Sequence, residues 1–352
     1  MYTKVIKIDQ QNIDETAMEE AAKWIRNNEL VAFPTETVYG LGANGLEPLA
    51  SAKIYAAKGR PSDNPLILHI SNMSELERLV EEIPETARKA AAAFWPGPMT
   101  MILKKSAIVP TQTTGGLSTV AIRMPDHPIA LALIEKSGCP IAAPSANTSG
   151  RPSPTRAEHV FEDMNGKIPC ILDGGMVGIG IESTIIDFSE EKPMILRPGF
   201  ITPEMFEEVL GMPVGIDPAV MQDPRTKKVA PKAPGMKYKH YAPKAEMILV
   251  SGEDENVVDY VNRQIVKEHQ EGRRVGVIAT DETAPAYKGD VVMSIGTKTS
   301  DSTIAYHLYD VLRKFDHEEV DIIYSQVFET GENGFAIMNR LTKAAGYERI
   351  EV

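Results

Sequence analysis

The chain has few cysteines, few aromatic residues and no long apolar stretch. Its 352 residues include two cysteines and 6% aromatic residues. Cys139 and Cys170 have no metal-ligand spacing, so we interpret both as buried, reduced thiols. No run of about 18 apolar residues occurs and the first residues lack an apolar signal core. These absences predict a soluble cytoplasmic protein with no membrane segment.

The common nucleotide and metal fingerprints are also missing. The sequence has no Gly-x-x-x-x-Gly-Lys-Ser/Thr loop, no Gly-x-Gly-x-x-Gly after a strand and no His-Glu-x-x-His. The net charge is −12, which argues against a protein that clamps long nucleic acid over its whole surface. Any nucleotide chemistry must therefore use a less common scaffold.

Strand-like and helix-like patterns alternate irregularly over residues 1–210. Apolar periodicity predicts helices over 13–28, 48–58, 74–82 and 84–94, and strands over 30–33, 66–70, 99–103, 119–123, 139–143, 169–172, 183–188 and 194–197. Residues 35–42, which contain two glycines, are predicted to be a loop. Strands and helices in this irregular order are typical of an α/β domain with a twisted mixed sheet.

The character of the sequence changes over residues 211–245. This stretch contains six prolines, and its part from 225 to 244 holds seven Lys or Arg and no acid. We predict a basic linker in an extended state. It could lie over a phosphate-filled cleft as a lid over 230–244, or it could be a solubilising tether.

After the linker, strands and helices alternate regularly. Strands are predicted over 247–250, 275–279, 291–295 and 322–324, with helices over 254–270, 301–315 and 333–346. This order predicts a smaller Rossmann-like domain, doubly wound around a parallel sheet, over 246–352.

The stretch from Lys58 to Asn64 is equipped to bind a polyanion. Lys58 and Arg60 lie two residues apart, so in an extended segment both would project the same way. A guanidinium can bind two phosphate oxygens and an ammonium can neutralise a third, with Asn64 as a neutral donor. The alternative is a solvated turn that caps the next element.

Three other residues could line the site of a small ligand, with Arg123 binding its carboxylate. Arg123 ends a strand that follows Gly115-Gly116, His69 lies within the strand 66–70, and Thr37 follows Pro34. The plain alternatives are a structural ion pair for Arg123, a hydrogen-bonded core residue for His69 and turn capping for Thr37. A glycine-rich stretch over 174–180 is a weaker candidate for an anion loop, and Arg197 is a candidate phosphate contact.

Taken together, these pieces resemble the threonylcarbamoyl-AMP synthase family in its long form, with a YrdC-like domain and a smaller C-terminal domain. The matching stretches are Phe33–Gly42, Lys58-Gly59-Arg60 with Ser62-x-Asn64-Pro65, Ser118–Pro125, Ala143–Asn147, Ser183-Thr184, Arg197–Gly199, Pro234–Met236 and His240–Pro243. They extend over essentially the whole chain, although the C-terminal domain matches only in position and element order.

The resemblance implies a nucleotidyltransferase. Such enzymes condense L-threonine, bicarbonate and ATP to threonylcarbamoyl-AMP and pyrophosphate, and other proteins then transfer the threonylcarbamoyl group to the adenosine beside a tRNA anticodon. Mg²⁺ would be held through the ATP phosphates rather than by protein side chains. A weak contact with tRNA is a further expectation.

The resemblance also implies site residues. L-threonine would be held by Thr37, His69, Arg123, Ala143 and Ser183. ATP would be held by Lys58, Arg60, Asn64, Thr119, Ser145, Asn147, Ser153, Arg197 and Tyr241, with Lys58 and Arg60 also catalytic. We identify no general base, which suits a site that works by proximity and charge.

Two other functions were weighed against this one. A carbamoyltransferase of the hydrogenase-maturation type also contains a YrdC-like domain, but it would need cysteine-rich zinc fingers that two isolated cysteines cannot supply. A non-catalytic double-stranded-RNA-binding module is the second alternative. The acidic balance of residues 1–210 and their many ligand-sized polar groups argue against it.

Overall fold

The computed structural model describes residues 2–220, 222, 233, 241–328 and 331–352. The chain divides into two compact units. Unit 1 takes in the described residues of Met1–Ser149, Ser153–Gly178 and Glu182–Tyr238, and unit 2 those of Gly150–Pro152, Ile179–Ile181 and Lys239–Val352. The predicted boundaries at 210 and 245 stay predictions, and most of the predicted lid lies outside the described residues.

Unit 1 is built on a large mixed sheet. Its strands are β1 (Lys4–Lys7), β2 (Val31–Phe33), β3 (Gly40–Asn44), β4 (Ile67–His69), β5 (Met99–Lys104), β6 (Thr119–Arg123), β7 (Ile141–Ala142), β8 (Cys170–Asp173), β9 (Thr184–Asp187), β10 (Met194–Arg197) and β11 (Gly215–Ile216). In the described part of the chain their spatial order is β1-β8-β2-β3-β7-β4-β6-β5-β9-β10-β11. Parallel and antiparallel pairs alternate irregularly along it, as the sequence predicts.

Helices cover the sheet of unit 1. They are α1 (Glu15–Arg26), α2 (Pro48–Lys58), α3 (Met73–Leu79), α4 (Glu85–Phe94), α5 (Pro128–Ser137), α6 (Ala157–Met164) and α7 (Pro203–Leu210). The side chain of Asp14 caps α1 by accepting from the amides of Thr16 and Ala17. Helix α2 begins at Pro48, and Gly59, which follows its last residue, has a φ of 62° that permits the left-handed cap. The main core packs between helices and sheet around Leu41, Leu68 and Ile122.

The predicted loop over 35–42 is wrong at its end, because β3 begins at Gly40. Glycine here serves close packing rather than a turn. A Cβ on Gly42 would lie 2.7 Å from Phe33 Cε1 and 2.8 Å from Ile141 Cγ2. Only glycine lets β3 approach its neighbours this closely. The strands β1 and β11 and the helices α5, α6 and α7 were not predicted from the sequence.

Unit 2 is a five-stranded parallel sheet with helices. Its strands are β12 (Glu246–Ser251), β13 (Val275–Ala279), β14 (Val291–Ser294), β15 (Ile322–Gln326) and β16 (Arg349–Glu351), in the spatial order β14-β13-β15-β12-β16. The pairs are all parallel. The helices are α8 (Asp254–Gln270), α9 (Asp301–Phe315) and α10 (Gly334–Ala344). The predicted fold class is confirmed, apart from the missed edge strand β16.

Both cysteines carry free thiols. Cys170 is buried and Cys139 half-buried. Burial raises the pKa of Cys139 to about 11 and that of Cys170 to about 12. Within the described ranges we find no helix with both the length and the apolar character needed to cross a bilayer.

Candidate active site

One face of the unit 1 sheet carries two of the residues predicted for L-threonine, His69 and Arg123. Side chains alternate along a strand, so Ile67 and His69 of β4 share one face, and Ala121 and Arg123 of β6 share it with them. Leu68 points the other way, into the main core. His69 therefore lies on the face opposite Leu68, alongside Ile67.

Strand register brings the polar groups of this face into a row. His69 pairs with Arg123 across β4 and β6, and Arg123 pairs with Thr100 across β6 and β5. The hydroxyl of Thr100 lies 2.7 Å from that of Ser183, which directly precedes β9. We call these four residues the polar row. It runs across β4, β6, β5 and the start of β9, at one end of these four neighbouring strands.

Ser183 connects a residue predicted to bind L-threonine with one predicted to bind ATP. The guanidinium of Arg197, predicted for ATP, donates from Nη2 to the Ser183 hydroxyl at 3.0 Å and from Nε to its carbonyl oxygen, also at 3.0 Å. Ser183 is predicted for L-threonine. The two sets of predicted residues are thus in direct contact at this point.

Beside the polar row lies an apolar patch that we call the apolar floor. It consists of Ile67, Ile102, Ala121, Ile185 and Leu196, together with Ala233. Ala233 belongs to the predicted linker, and it is fully buried. At this residue, the predicted linker packs on the face of the sheet that carries His69 and Arg123.

Arg123 has a carboxylate partner in the protein itself. Its Nη2 lies 2.6 Å from Oε1 of Glu36, with both side chains largely buried. Thr37 beside it is also buried, and its hydroxyl lies 2.9 Å from that of Thr35. The structural ion pair weighed for Arg123 is therefore present.

Two histidines near this pair are electrically neutral at pH 7. Burial, reinforced by Arg123, lowers the pKa of His69 to about 3. Burial also lowers the pKa of His127 to about 4, an effect that Glu36 opposes and Arg123 reinforces. Both imidazoles are thus neutral hydrogen-bonding groups rather than cations.

Lys58 and Arg60 do not lie in an extended segment, so the geometry predicted for them is wrong. Lys58 is the last residue of α2, and the left-handed Gly59 turns the chain before Arg60. The buried ammonium of Lys58 donates to the carbonyl oxygens of Ser145 and Asn147. Lys58 therefore connects the Lys58–Asn64 stretch to the Ala143–Asn147 stretch.

Arg60, Asn64 and Thr119 lie toward the other end of the same strands. Arg60 Nη2 donates to the Pro65 carbonyl at 3.0 Å, just before β4. Thr119 begins β6, about 13 Å along the strand from Arg123 at its end. The amide oxygen of the buried Asn64 has no hydrogen-bond partner among the described residues. A ligand in contact with both Thr119 and Arg123 therefore has to be elongated.

The Ala143–Asn147 stretch is fixed between these two ends. The amide of Ala143 donates to the carbonyl oxygen of Ile67 at 2.9 Å, and the amide of Ala146 donates to that of Tyr39 at 2.8 Å. The hydroxyl of Ser145 donates to the Asn147 side-chain oxygen at 2.6 Å. Buried Ser153 donates to Glu182. The stretch therefore offers small polar groups on a rigid backbone.

Tyr241 lies in unit 2, where its ring stacks on that of Tyr309 at 5.3 Å between centroids. The rest of the predicted linker motif, Pro234–Met236 and His240, lies outside the described residues.

Four polar residues that lie beside the predicted ones were not predicted from the sequence. They are Glu36, Thr100, His127 and Glu182. Glu36 lies within the Phe33–Gly42 motif, so a search for charge partners of Arg123 in that motif would have found it. Thr100 and His127 carry no such signal, because only the strand register and the packing of α5 bring them near Arg123.

A protein cage for a metal is not found. Among the described residues no group of three or more His, Cys, Asp or Glu side chains could hold an ion. The Mg²⁺ predicted to be held through the ATP phosphates stays a prediction.

Two family models match the chain. The model described as "Telomere recombination" (Sua5_yciO_yrdC) matches residues 23–199, and the one described as "Threonylcarbamoyl-AMP synthase, C-terminal domain" matches residues 201–346. Among solved structures, Escherichia coli YciO matches with a TM-score of 0.51 and 25% identity, covering 57% of this chain and 97% of its own. Fold and site thus define a two-domain protein of the YrdC-like class.

Relatives that match over nearly their full length show which family of this class the chain belongs to. The threonylcarbamoyl-AMP synthases of Bacillus subtilis and Pyrococcus abyssi are each 51% identical, over 96% and 97% of this chain and 95% and 98% of their own. The crystal structure of P. abyssi Sua5 complexed with L-threonine matches with a TM-score of 0.92 and 50% identity, covering 99% of both chains. The chain belongs to the threonylcarbamoyl-AMP synthase family, which confirms the family and the enzyme class predicted from the sequence.

Proposed function

We propose that this protein condenses L-threonine, bicarbonate and ATP to threonylcarbamoyl-AMP and pyrophosphate. The observation that carries the proposal is the contact of Ser183 with both Thr100 and Arg197. It joins the polar row of His69 and Arg123, predicted for the amino acid, to a cation predicted for the nucleotide. Two substrates bound there would lie side by side.

On the amino-acid side, we assign Arg123 to the carboxylate of L-threonine. Neutral His69, the hydroxyls of Thr37 and Ser183, and the backbone of Ala143 complete this subsite. A planar guanidinium fixes a carboxylate with two hydrogen bonds. The amine is then held in one direction, toward bicarbonate, so that the reaction gains from proximity.

On the nucleotide side, we assign Arg60, Asn64, Thr119, Ser145, Ser153, Arg197 and Tyr241 to ATP. Thr119 begins β6, about 13 Å from Arg123 at its end, and Arg197 contacts Ser183 beside the polar row, so an extended triphosphate would be needed to reach both. Arg60 and Arg197 would neutralise charge as the carbamate oxygen attacks the α-phosphorus and pyrophosphate leaves. Mg²⁺ bound to the phosphates would neutralise further negative charge.

Lys58 and Asn147 have a different task in this proposal. Because the Lys58 ammonium is buried against two carbonyl oxygens, it positions the Ser145–Asn147 turn for the nucleotide. In this proposal Lys58 does not contact the phosphates directly, as it would if it projected beside Arg60 from an extended segment.

We further propose that the linker excludes water from the reaction. The carbamate is unstable in water, so its site has to be closed while the adenylate forms. Ala233, buried on the apolar floor, supports a lid in this position.

The product would be consumed by separate proteins that transfer the threonylcarbamoyl group to tRNA. We propose a cytoplasmic location, where those tRNAs are found, and at most a weak direct contact with tRNA.

The test is to mix the protein with ATP, Mg²⁺, bicarbonate and L-threonine and to search for threonylcarbamoyl-AMP by mass spectrometry. We expect the adenylate and pyrophosphate to form together and only when all substrates are present. Pyrophosphate released without threonine, or no adenylate at all, would contradict the proposal.

A further inference from the structure

Glu36 is a buried carboxylate whose bonding is incomplete. Both of its oxygens are inaccessible to solvent, and neither has a hydrogen-bond partner among the described residues. Its contact is the 2.6 Å approach to Arg123 Nη2, and that nitrogen and Arg123 Nε likewise make no aligned hydrogen bond there. Buried polar atoms are nearly always paired, so such a group of unpaired atoms points to a polar partner outside the protein chain.

His127 adds a further unpaired atom to the same place. It precedes α5 and is buried, and its Nδ1 has no partner within the described part of the chain. Glu36 and Arg123 both act on its pKa, so the three side chains share one electrostatic environment. Because both His127 and His69 are neutral at pH 7, the formal charges of this cluster are those of Arg123 and Glu36.

The balance of these two charges limits what can bind. A plain carboxylate that reached Arg123 would lie beside the carboxylate of Glu36 and be repelled by it, in surroundings that screen charge poorly. A ligand that also carries a positive charge removes the conflict, because it gives each protein charge a partner. An α-amino acid in its zwitterionic form has this pattern of charges on neighbouring atoms.

We propose that Glu36 accepts hydrogen bonds from the α-ammonium group of L-threonine. Glu36 thereby selects amino acids against hydroxy acids and simple carboxylic acids that lack the amino group. The inference rests on the proposed function and extends it by one residue. Arg123 takes the carboxylate, and Glu36 gives up its contact with Arg123 to accept from the ammonium. Glu36 thus determines which class of acid enters the site.

The test combines a variant of the protein with a change in the ligand. Calorimetric titrations without ATP measure the binding of L-threonine and of (R)-3-hydroxybutanoate, which lacks the amino group, to the full-length wild type and to Glu36→Gln. We expect the wild type to bind L-threonine at least tenfold more tightly than the hydroxy acid. Glu36→Gln should weaken L-threonine at least tenfold and leave the hydroxy acid unchanged or more tightly bound.

Matched controls separate this role from a structural one. Glu29→Gln removes another carboxylate of unit 1 that pairs with a cation, Lys53, at 2.6 Å, and it should bind both ligands as the wild type does. If Glu36→Gln does not fold, a titration of the wild type with 2,3-dihydroxybutanoate replaces the ammonium by a neutral hydroxyl. We expect that replacement to weaken binding at least tenfold, and equal affinity would overturn the inference.

The remaining outcomes are distinguishable. If Glu36→Gln weakens L-threonine and the hydroxy acid by the same factor, Glu36 acts only through Arg123 and the inference fails while the proposed function stands. If the wild type does not bind L-threonine at all, the proposed function fails and the inference with it.

Discussion

Arg60 and Arg123 carry the same charge, but they lie at opposite ends of β4 and β6 and serve different substrates in our proposal. Arg60→Ala should weaken ATP binding about 10- to 100-fold and leave L-threonine binding nearly unchanged, whereas Arg123→Ala should do the reverse. Equilibrium titrations with each ligand measure both effects. The exposed Arg88 on α4 provides a control, because Arg88→Ala should affect neither ligand.

Equal losses for both substrates in both variants would contradict the separate assignment. They would indicate that each arginine stabilises the fold of unit 1 rather than a particular subsite.

The buried histidines predict how stability depends on pH. His69 and His127 have pKa values lowered to about 3 and about 4 in the folded protein, against about 6.5 when unfolded. As the pH falls below 6.5 the unfolded chain takes up protons that the folded protein does not, so stability is lost. Between pH 7 and 5.5 each histidine should lower the free energy of unfolding of unit 1 by about 1 kcal/mol.

Trp24 and Trp95 are the chain's two tryptophans, and both lie in unit 1. Urea unfolding followed by their fluorescence therefore reports on this unit. We expect His127→Gln to lose less stability than the wild type over the same pH interval. An equal loss in both proteins would mean that this histidine does not contribute to the pH dependence.

At the scale of elements, the linker segment around Ala233 offers the sharpest test. An aspartate at this fully buried position would place a charge on the apolar floor, so the segment should detach. Ala233→Asp should reduce formation of threonylcarbamoyl-AMP at least tenfold, as measured by mass spectrometry, while the urea midpoint of unit 1 stays unchanged. Deletion of residues 230–244 should abolish the activity and likewise preserve the fold.

Ala93→Asp on the exposed surface of α4 is the matched control and should retain activity. Full activity in Ala233→Asp, or in the deletion variant, would refute the lid.

The elements also show where sequence reasoning succeeds. Helices α8 and α9 follow regular apolar periodicity, and their predicted bounds of 254–270 and 301–315 agree with the structure. Strand β3 was missed because two glycines in a short span are typical of a loop, while here they permit close packing against Phe33. Local pattern cannot distinguish these two uses of glycine.

At the scale of the whole molecule, each unit has its own hydrophobic core. The core of unit 2 includes Val261, Val277 and Tyr324. A side chain on Gly276 would bring its Cβ within 2.6 Å of Phe315 Cε1, so Gly276→Val should destabilise unit 2 by about 1–3 kcal/mol or more. We expect tryptophan fluorescence of unit 1 and its affinity for L-threonine to remain as in the wild type.

Circular dichroism, which reports on both units, should then show an earlier partial transition in Gly276→Val. Val266→Ala on the exposed side of α8 should show none. A parallel loss of the fluorescence transition would mean that the two units unfold as one.

The amino-acid sequence by itself determined the α/β class, the parallel second sheet and the family, and it predicts most of the polar groups of the candidate site. These follow from patterns within a few residues, such as strand alternation around His69 and the motifs at Phe33–Gly42 and Ala143–Asn147. Only the tertiary structure decided that Lys58 binds carbonyl oxygens, that Glu36 pairs with Arg123 and that Ser183 contacts Arg197. Those contacts join segments far apart in the chain, or depend on how a side chain turns once it is buried, and neither is encoded in local sequence.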